Sequence, residues 1–188
     1  MDLYALPDGR VVTIRPIRPD DRERLRLSHT RLSEETRYRR FMSAKPSLTV
    51  SDAHYLVDID GRNHYALVAT VAGPAGEAIV GVARYIRLAG DAEAAEFAIV
   101  VGDAWQRHGL GGELLGRLAD AAVTRGVKRF CATILADNIA IRHLIEGLAA
   151  GSVSLRREGS LLEVEFPLPT RGEGRSGAPA VIAACAGS

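Results

Sequence analysis

Gln106-Arg107-His108-Gly109-Leu110-Gly111-Gly112 is the stretch from which the rest of the chain can be read. It lies between an apolar, strand-like run from Phe97 to Val101 and a helix-like run from Leu110 to Thr124. A strand that turns through glycines into a helix aims unpaired backbone N–H groups and the positive helix end at one point. That is a cradle for a phosphate or pyrophosphate. Glycine suits it because a Cβ would block close approach of the backbone to a ligand. The segment therefore predicts a nucleotide-like cofactor.

Spacing narrows which one. A dinucleotide-binding fingerprint would continue Gly109-x-Gly111 with glycine at position 114, where Leu114 stands. A P-loop would follow Gly111 and Gly116 with Lys-Ser/Thr, but Arg117-Leu118 follow instead. Both fail on residues their chemistry requires. What remains is Gln106-x-x-Gly109-x-Gly111.

Outward from the loop, period and turn chemistry set the elements. Val11 to Ile17 alternates and is β-branched, and reads as a first strand. Asp20 or Asp21 can cap a following helix, a second helix begins around Ser33-Glu34-Glu35, and a third follows Ser51-Asp52. Tyr65 to Val71 and Ala78 to Leu88 read as a hairpin about Gly73-Pro74-Ala75-Gly76, and Ala94 to Val101 is the next strand. The helix Leu110 to Thr124 carries Leu114, Leu118 and Ala122 on one stripe, with Gly126 as its stop. Arg129 to Leu135 is a strand, and Asp137 or Asn138 starts a helix that ends near Gly147. Val153 to Arg157 and Leu161 to Leu168 form a closing hairpin. Runs of strands interleaved with helices predict an α+β, mixed-sheet architecture. Residues 1–169 read as one domain. Residues 170–188 turn to Gly, Pro, Arg and Ser and read as a disordered tail.

Bulk properties exclude several classes. The 188 residues, 47% apolar and 25% charged, suit a soluble globular domain. A formal net charge of +1 argues against electrostatic attraction to nucleic acid or an anionic membrane. Cys131 and Cys185 have no metal-ligand spacing, and Cys131 reads as a buried thiol. His29, His54, His64, His108 and His143 show no helical pair, so no metal is expected. The opening Met1-Asp2-Leu3-Tyr4 is unlike a signal peptide and no run reaches membrane-span length, so the expected location is cytoplasmic. The arginines at 22, 24, 26, 31, 37, 39 and 40 read as a solvated basic face balanced by neighbouring acids, with a rim attracting an acidic protein substrate as the alternative.

Loop and element order together resemble the GCN5-related N-acetyltransferase (GNAT) superfamily over roughly residues 10 to 168. Gln106-x-x-Gly109-x-Gly111 resembles the family's acetyl-CoA pyrophosphate loop. Ala95-Glu96-Phe97-Ala98 resembles its fourth strand, and Asn138-x-x-Ile141-Arg142-x-Leu144 resembles its helix start after the fifth strand. Arg15-Pro16-Ile17-Arg18-Pro19-Asp20 and Gly81-Val82-Ala83-Arg84 make the chain look most like the GNAT domain of bacterial protein lysine acetyltransferases. The resemblance implies a mostly antiparallel mixed sheet of about seven strands flanked by helices. It implies acetyl-CoA as co-substrate and an amine acceptor, preferably a protein lysine. The alternatives are a small-molecule amine, or a regulatory module that binds acyl-CoA without turnover.

Acyl transfer to an amine needs a held thioester, a deprotonated nucleophile and a stabilised oxyanion. The N–H groups of Arg107, His108, Gly109, Leu110, Gly111 and Gly112 are expected to face the pyrophosphate. Arg107 and His108 would add positive charge. The resemblance implies pairing of the pantetheine amides with Ile99, Val100 and Val101, which needs a splayed or bulged strand. Val100 or Val101 is then the oxyanion donor. Glu96, a carboxylate in an apolar run, is the expected base, with partial burial making it a better proton acceptor. Glu93 is the fallback. Asn138 reads both as a helix cap and as a coenzyme A contact. Many family members place tyrosine after the leucine matched by Leu144, but Ile145 stands here and no tyrosine follows Tyr85. No acid is assigned to the leaving thiolate. Oligomeric state is not read from the sequence.

Overall fold

The computed structural model describes residues 2–43, 46–73 and 76–169. In chain order these form β1 (Asp2–Ala5), β2 (Val11–Pro16), α1 (Arg22–Thr30), α2 (Glu34–Phe41), α3 (Val50–Val57), β3 (His64–Gly73), β4 (Gly76–Leu88), β5 (Asp91–Val101), α4 (Leu110–Thr124), β6 (Arg129–Leu135), α5 (Ile139–Leu148), β7 (Ser154–Glu158) and β8 (Leu161–Pro167). The strands make one 8-stranded sheet in the order β1-β2-β3-β4-β5-β6-β8-β7. The extra strand relative to expectation is β1, which pairs antiparallel with β2 at the sheet edge. The residues of the β3–β4 turn, Pro74 and Ala75, and the tail at 170–188 with Cys185 lie outside the described residues.

Every strand pairing is antiparallel except one. β5 and β6 run parallel and share only the rungs Ala94–Arg129, Ala95–Phe130 and Glu96–Cys131. After Glu96 the two strands part, β5 keeping its ladder with β4 and β6 its ladder with β8. The sheet therefore opens at its centre, at the end of β5 that leads to the glycine loop.

Period 2 in the strands and 3.6 in the helices distribute the apolar residues over two faces. On one face Leu25 of α1 and Val57 of α3 pack with Ile17, Leu48, Ala66, Val68 and Val82. On the other, Leu110, Leu114 and Leu118 of α4 and Ile141 and Ile145 of α5 cover Phe97, Phe130 and Phe166. Phe97 stacks on Phe130 at 5.4 Å and meets Phe166 edge-on at 5.7 Å, so strands β5, β6 and β8 are tied below the opening.

Asp21 behaves differently from the helix cap expected of it. Its fully buried carboxylate makes no cap hydrogen bond to α1. Instead it takes both arms of the Arg15 guanidinium at 2.7 and 2.8 Å and the Arg18 N–H at 2.9 Å. Glu77 adds a second contact to Arg15 at 2.7 Å. This bidentate pair pins the turn before α1 onto β2.

Candidate active site

The parted strands and the glycine loop enclose a cavity of about 500 Å3. Its walls include Glu96 to Val101 on β5, Thr133 on β6, Gly109, Gly111 and Gly112 at the start of α4, and Asn138 and Leu144 of α5. Most of the residues singled out in the sequence line this one cavity, and the physical causes are local.

Gly109 caps α4 at φ +82°, a left-handed conformation that disfavours any Cβ. The helix ladder begins with Glu113 N–H donating to the Gly109 carbonyl at 3.1 Å. The N–H groups of Leu110, Gly111 and Gly112 are left outside that ladder, at the positive end of the helix. Gly111 serves packing too. A Cβ there would come within 3.3 Å of Leu144 Cδ1, so glycine lets α5 lie close against the cradle. Leu110 itself is core, and only its backbone can serve the cradle.

Strand parity decides which N–H groups of β5 are free for a ligand. Gly102 N–H donates to the Val80 carbonyl at 2.9 Å, which extends the β4–β5 ladder past the Gly81–Val101 rung. Alternation then sends the Val100 N–H to β4 and turns those of Ile99 and Val101 into the gap. The Val101 carbonyl, on that same side, accepts the Gln106 amide at 3.0 Å. The opening is a splay rather than a bulge, since β5 pairs with β4 without interruption from Gly81–Val101 to Arg87–Ala95.

Gln106 and Arg107 line the cavity, Arg107 at φ +62°. The Gln106 amide also donates to Thr36 Oγ1 at 3.1 Å, linking the loop to α2. His108 does not join them. Its Nδ1 faces Asp8 at 3.0 Å, and the ring is not part of the lining. Asn138 caps α5, its Oδ1 accepting Ile141 N–H at 3.3 Å, and it lines the cavity as well.

Glu96 projects into the cavity on the sheet face that α1 to α3 cover, and it is exposed rather than half-buried. Glu93 is outside the cavity and pairs with Lys128 at 2.6 Å. Cys131, across from Glu96, is half-buried. Burial first, then the charges of Glu96 and Glu165, push its thiol up, so it stays protonated and unreactive. His143 is exposed at the cavity wall. Among the described residues no cluster of three or more His, Cys, Asp or Glu could hold a metal, and no helix is long and apolar enough to cross a membrane.

Two contributions escaped the sequence reading. Asp103 clasps the start of α2, accepting Ser33 N–H at 2.9 Å, Ser33 Oγ at 2.6 Å and Thr36 Oγ1 at 2.7 Å. This holds α2 over the cavity, where Glu35, Thr36, Arg39 and Arg40 form its roof. Arg40 is the second. Its neighbours behave as a solvated face, with Arg39 on Glu35 at 2.5 Å and Arg26 on Glu23 at 3.0 Å, but Arg40 turns inward. The available signal was that Thr36 and Arg40 stand one turn apart, on the same side of the helix.

Comparison with known proteins follows this geometry. Residues 12–150 match the family model described as the acetyltransferase (GNAT) domain. The chain belongs to the GNAT acetyltransferase family. Within it, the chain is 37% identical over 164 residues to Acetyltransferase Pat of Mycolicibacterium smegmatis, a match covering 86% of this chain and 47% of that protein. Its fold superposes on the GNAT domain of S. lividans PAT with a TM-score of 0.78 at 30% identity, covering 89% of this chain and 96% of that one. A cAMP-binding acyltransferase from Mycobacterium smegmatis aligns with a TM-score of 0.62 at 30% identity, over 89% of this chain and 47% of that one. The GNAT chain thus spans about half the length of these mycobacterial relatives.

Proposed function

We propose that this chain transfers the acetyl group of acetyl-CoA to a primary amine, with a protein lysine side chain as the preferred acceptor. The observation that carries this reading is the single cavity shared by the α4 cradle, the β5–β6 gap and Glu96. Its volume of about 500 Å3 suits the pantetheine arm and acyl group, with the nucleotide lying outside over the loop. The N–H groups of Leu110, Gly111 and Gly112 would hold the pyrophosphate, with Arg107 adding charge and Asn138 flanking the arm. Ile99 would pair with a pantetheine amide, and the Val101 N–H would stabilise the carbonyl oxygen as it gains charge.

A lysine amine, with a pKa of about 10.4 in water, enters mostly protonated. Glu96 takes its proton directly or through one water. The amine nitrogen then bonds to the thioester carbon and gives its second proton to solvent as the carbon–sulfur bond breaks and coenzyme A leaves as thiolate. A thiolate of ordinary pKa, about 8.5, is a stable enough leaving group without an acid. That agrees with Ile145 standing where many relatives have tyrosine. The lysine preference rests on the resemblance of Arg15-Pro16-Ile17-Arg18-Pro19-Asp20 and Gly81-Val82-Ala83-Arg84 to the GNAT domain of bacterial protein lysine acetyltransferases. A cytoplasmic location and a single catalytic domain over residues 1–169 belong to the same reading.

Coenzyme A release, followed with acetyl-CoA and matched panels of lysine peptides and small amines, tests it. Faster release with lysine peptides supports the reading. Release with small amines alone would move the acceptor to that class. Acetyl-CoA binding without release for any amine would leave a non-catalytic binding module.

A further inference from the structure

Two arginines, Arg40 and Arg84, stand near Glu96 on the side of β5 that α1 to α3 cover. On the sheet, Arg84 is the rung partner of Ala98, which stands next but one to Glu96, so the Arg84 and Glu96 side chains are diagonal neighbours on one face. From the layer above, Arg40 of α2 lines the main cavity together with Glu96. It also closes a small apolar void with Arg84, Val82 and Val100.

Neither arginine has an ion-pair partner among the described residues. Arg84, only 4% exposed, gives Nη1 to the Leu56 carbonyl at 3.2 Å and meets His64 Nε2 at 3.0 Å. His64 supplies no negative charge. Burial, then the Arg84 charge, hold its pKa down at about 4, so the ring is neutral at pH 7. Burial, then the like charge of Arg40, pull Arg84 down to about 9, where it remains protonated. Burial lowers Arg40 too, and Glu96 is the carboxylate whose charge favours it. The ring contact of Arg40 is Phe41, at 4.9 Å.

A half-buried guanidinium, Arg40, thus faces Glu96 with the buried Arg84 guanidinium behind it, and Glu96 must also serve as base. Unpaired cations in such a setting are costly unless an anion joins them. We propose that Arg40, backed by Arg84, binds a carboxylate carried by the acceptor, so that the amine selected is one with an acidic group beside it. On the lysine reading above, on which this rests, the substrate is a lysine flanked by Asp or Glu. The bound carboxylate anchors the acceptor over β5 and turns its amine toward Glu96. The same arginines disfavour the ammonium form of the incoming amine and so assist its deprotonation.

The acyl chain is the poorer source of the carboxylate. The pantetheine arm would lie along the gap side of β5, where the Ile99 and Val101 N–H groups point, whereas Arg40 belongs to the α2 roof above the opposite side with Glu96.

The test measures kcat/KM for wild type, Arg40→Gln and Arg40→Lys on peptides differing only by Asp or Asn next to the lysine, with acetyl-CoA and with succinyl-CoA. A companion pair, 4-aminobutyrate and butylamine, covers small acceptors, and thermal melts with acetyl-CoA affinity report folding. Wild type should favour the Asp peptide by about tenfold or more, as expected for a charge-assisted hydrogen bond. Arg40→Gln should collapse that ratio to within about twofold, and Arg40→Lys should keep part of it. Turnover with no such preference in wild type, or a preference that survives Arg40→Gln, overturns the proposal alone. So does an Arg40→Gln effect confined to succinyl-CoA against acetyl-CoA. Absence of turnover with every amine overturns the transferase reading and this proposal together.

Discussion

Glu96 and Cys131 form the last rung between β5 and β6, and beyond them the central sheet opens. The residue on which the base assignment falls is therefore also the hinge point of the opening. Its side chain faces the α1–α3 layer, while the N–H groups of the residues that follow it alternate between the β4 ladder and the gap. Acceptor and thioester can thus approach one strand from different directions.

Parity along β5 makes adjacent residues respond differently to proline. Val101→Pro removes an N–H that faces the gap, and should leave a folded protein whose kcat falls by about a hundredfold or more. Val100→Pro removes an N–H engaged in the ladder and should instead cost about 3 kcal/mol of stability. Urea melts beside steady-state kinetics check the contrast. Equal kinetic losses in two equally stable variants would rule out the parity assignment.

Close approach at the cradle depends on Gly111. Gly111→Val adds a Cβ about where Leu144 Cδ1 already approaches to 3.3 Å, and its γ-carbons then crowd the α4–α5 seam. Overpacking of this kind costs about 1–3 kcal/mol, and the same carbons obstruct the cradle. Acetyl-CoA affinity, measured by calorimetry, should weaken by about tenfold or more. Unchanged affinity would mean that the pyrophosphate lies elsewhere.

Acid stability should report on Arg15 and Asp21. Burial alone would raise the Asp21 carboxyl, but the hydrogen bonds from Arg15 and the Arg18 N–H overcome this and hold it below the usual carboxylate range. A carboxyl depressed on folding contributes stability that is complete above its unfolded pKa, about 3.9, and is lost as pH falls through the folded value. Asp21→Asn leaves the buried Arg15 with only the part-exposed Glu77 as an anionic partner and should cost up to about 3 kcal/mol at neutral pH. It should also flatten the decline of stability below about pH 4. Denaturant midpoints across pH 3 to 7 measure both, and a parallel decline in the two proteins would contradict the assignment.

The parts of the fold that were legible in the sequence are those where chemistry leaves no substitute. Gly109 is favoured by its positive φ, α4 repeats leucine at helical spacing, and β-branched alternation marks β2. Glu96 stood out because a carboxylate interrupts an apolar run. β1 was hidden because it is four residues long and largely exposed. Asp21 looked like a cap because position alone suggested one, while its partner Arg15 lies across a proline turn. Arg40 was masked by the arginines that precede it in sequence, Arg37 and Arg39, since α2 has no buried residue to show which way it faces. The choice between Val100 and Val101 needed the ladder register, which no single-strand pattern contains.

Glu96→Gln, assayed for coenzyme A release and for acetyl-CoA affinity in one preparation, bears on the whole mechanism. The expected result is a kcat lower by about a hundredfold or more, with affinity within about twofold of wild type and a loss that shrinks at high pH, where the amine sheds its proton unaided. An unchanged kcat at neutral pH, with acetyl-CoA bound as before, would contradict the assignment of Glu96 as the base.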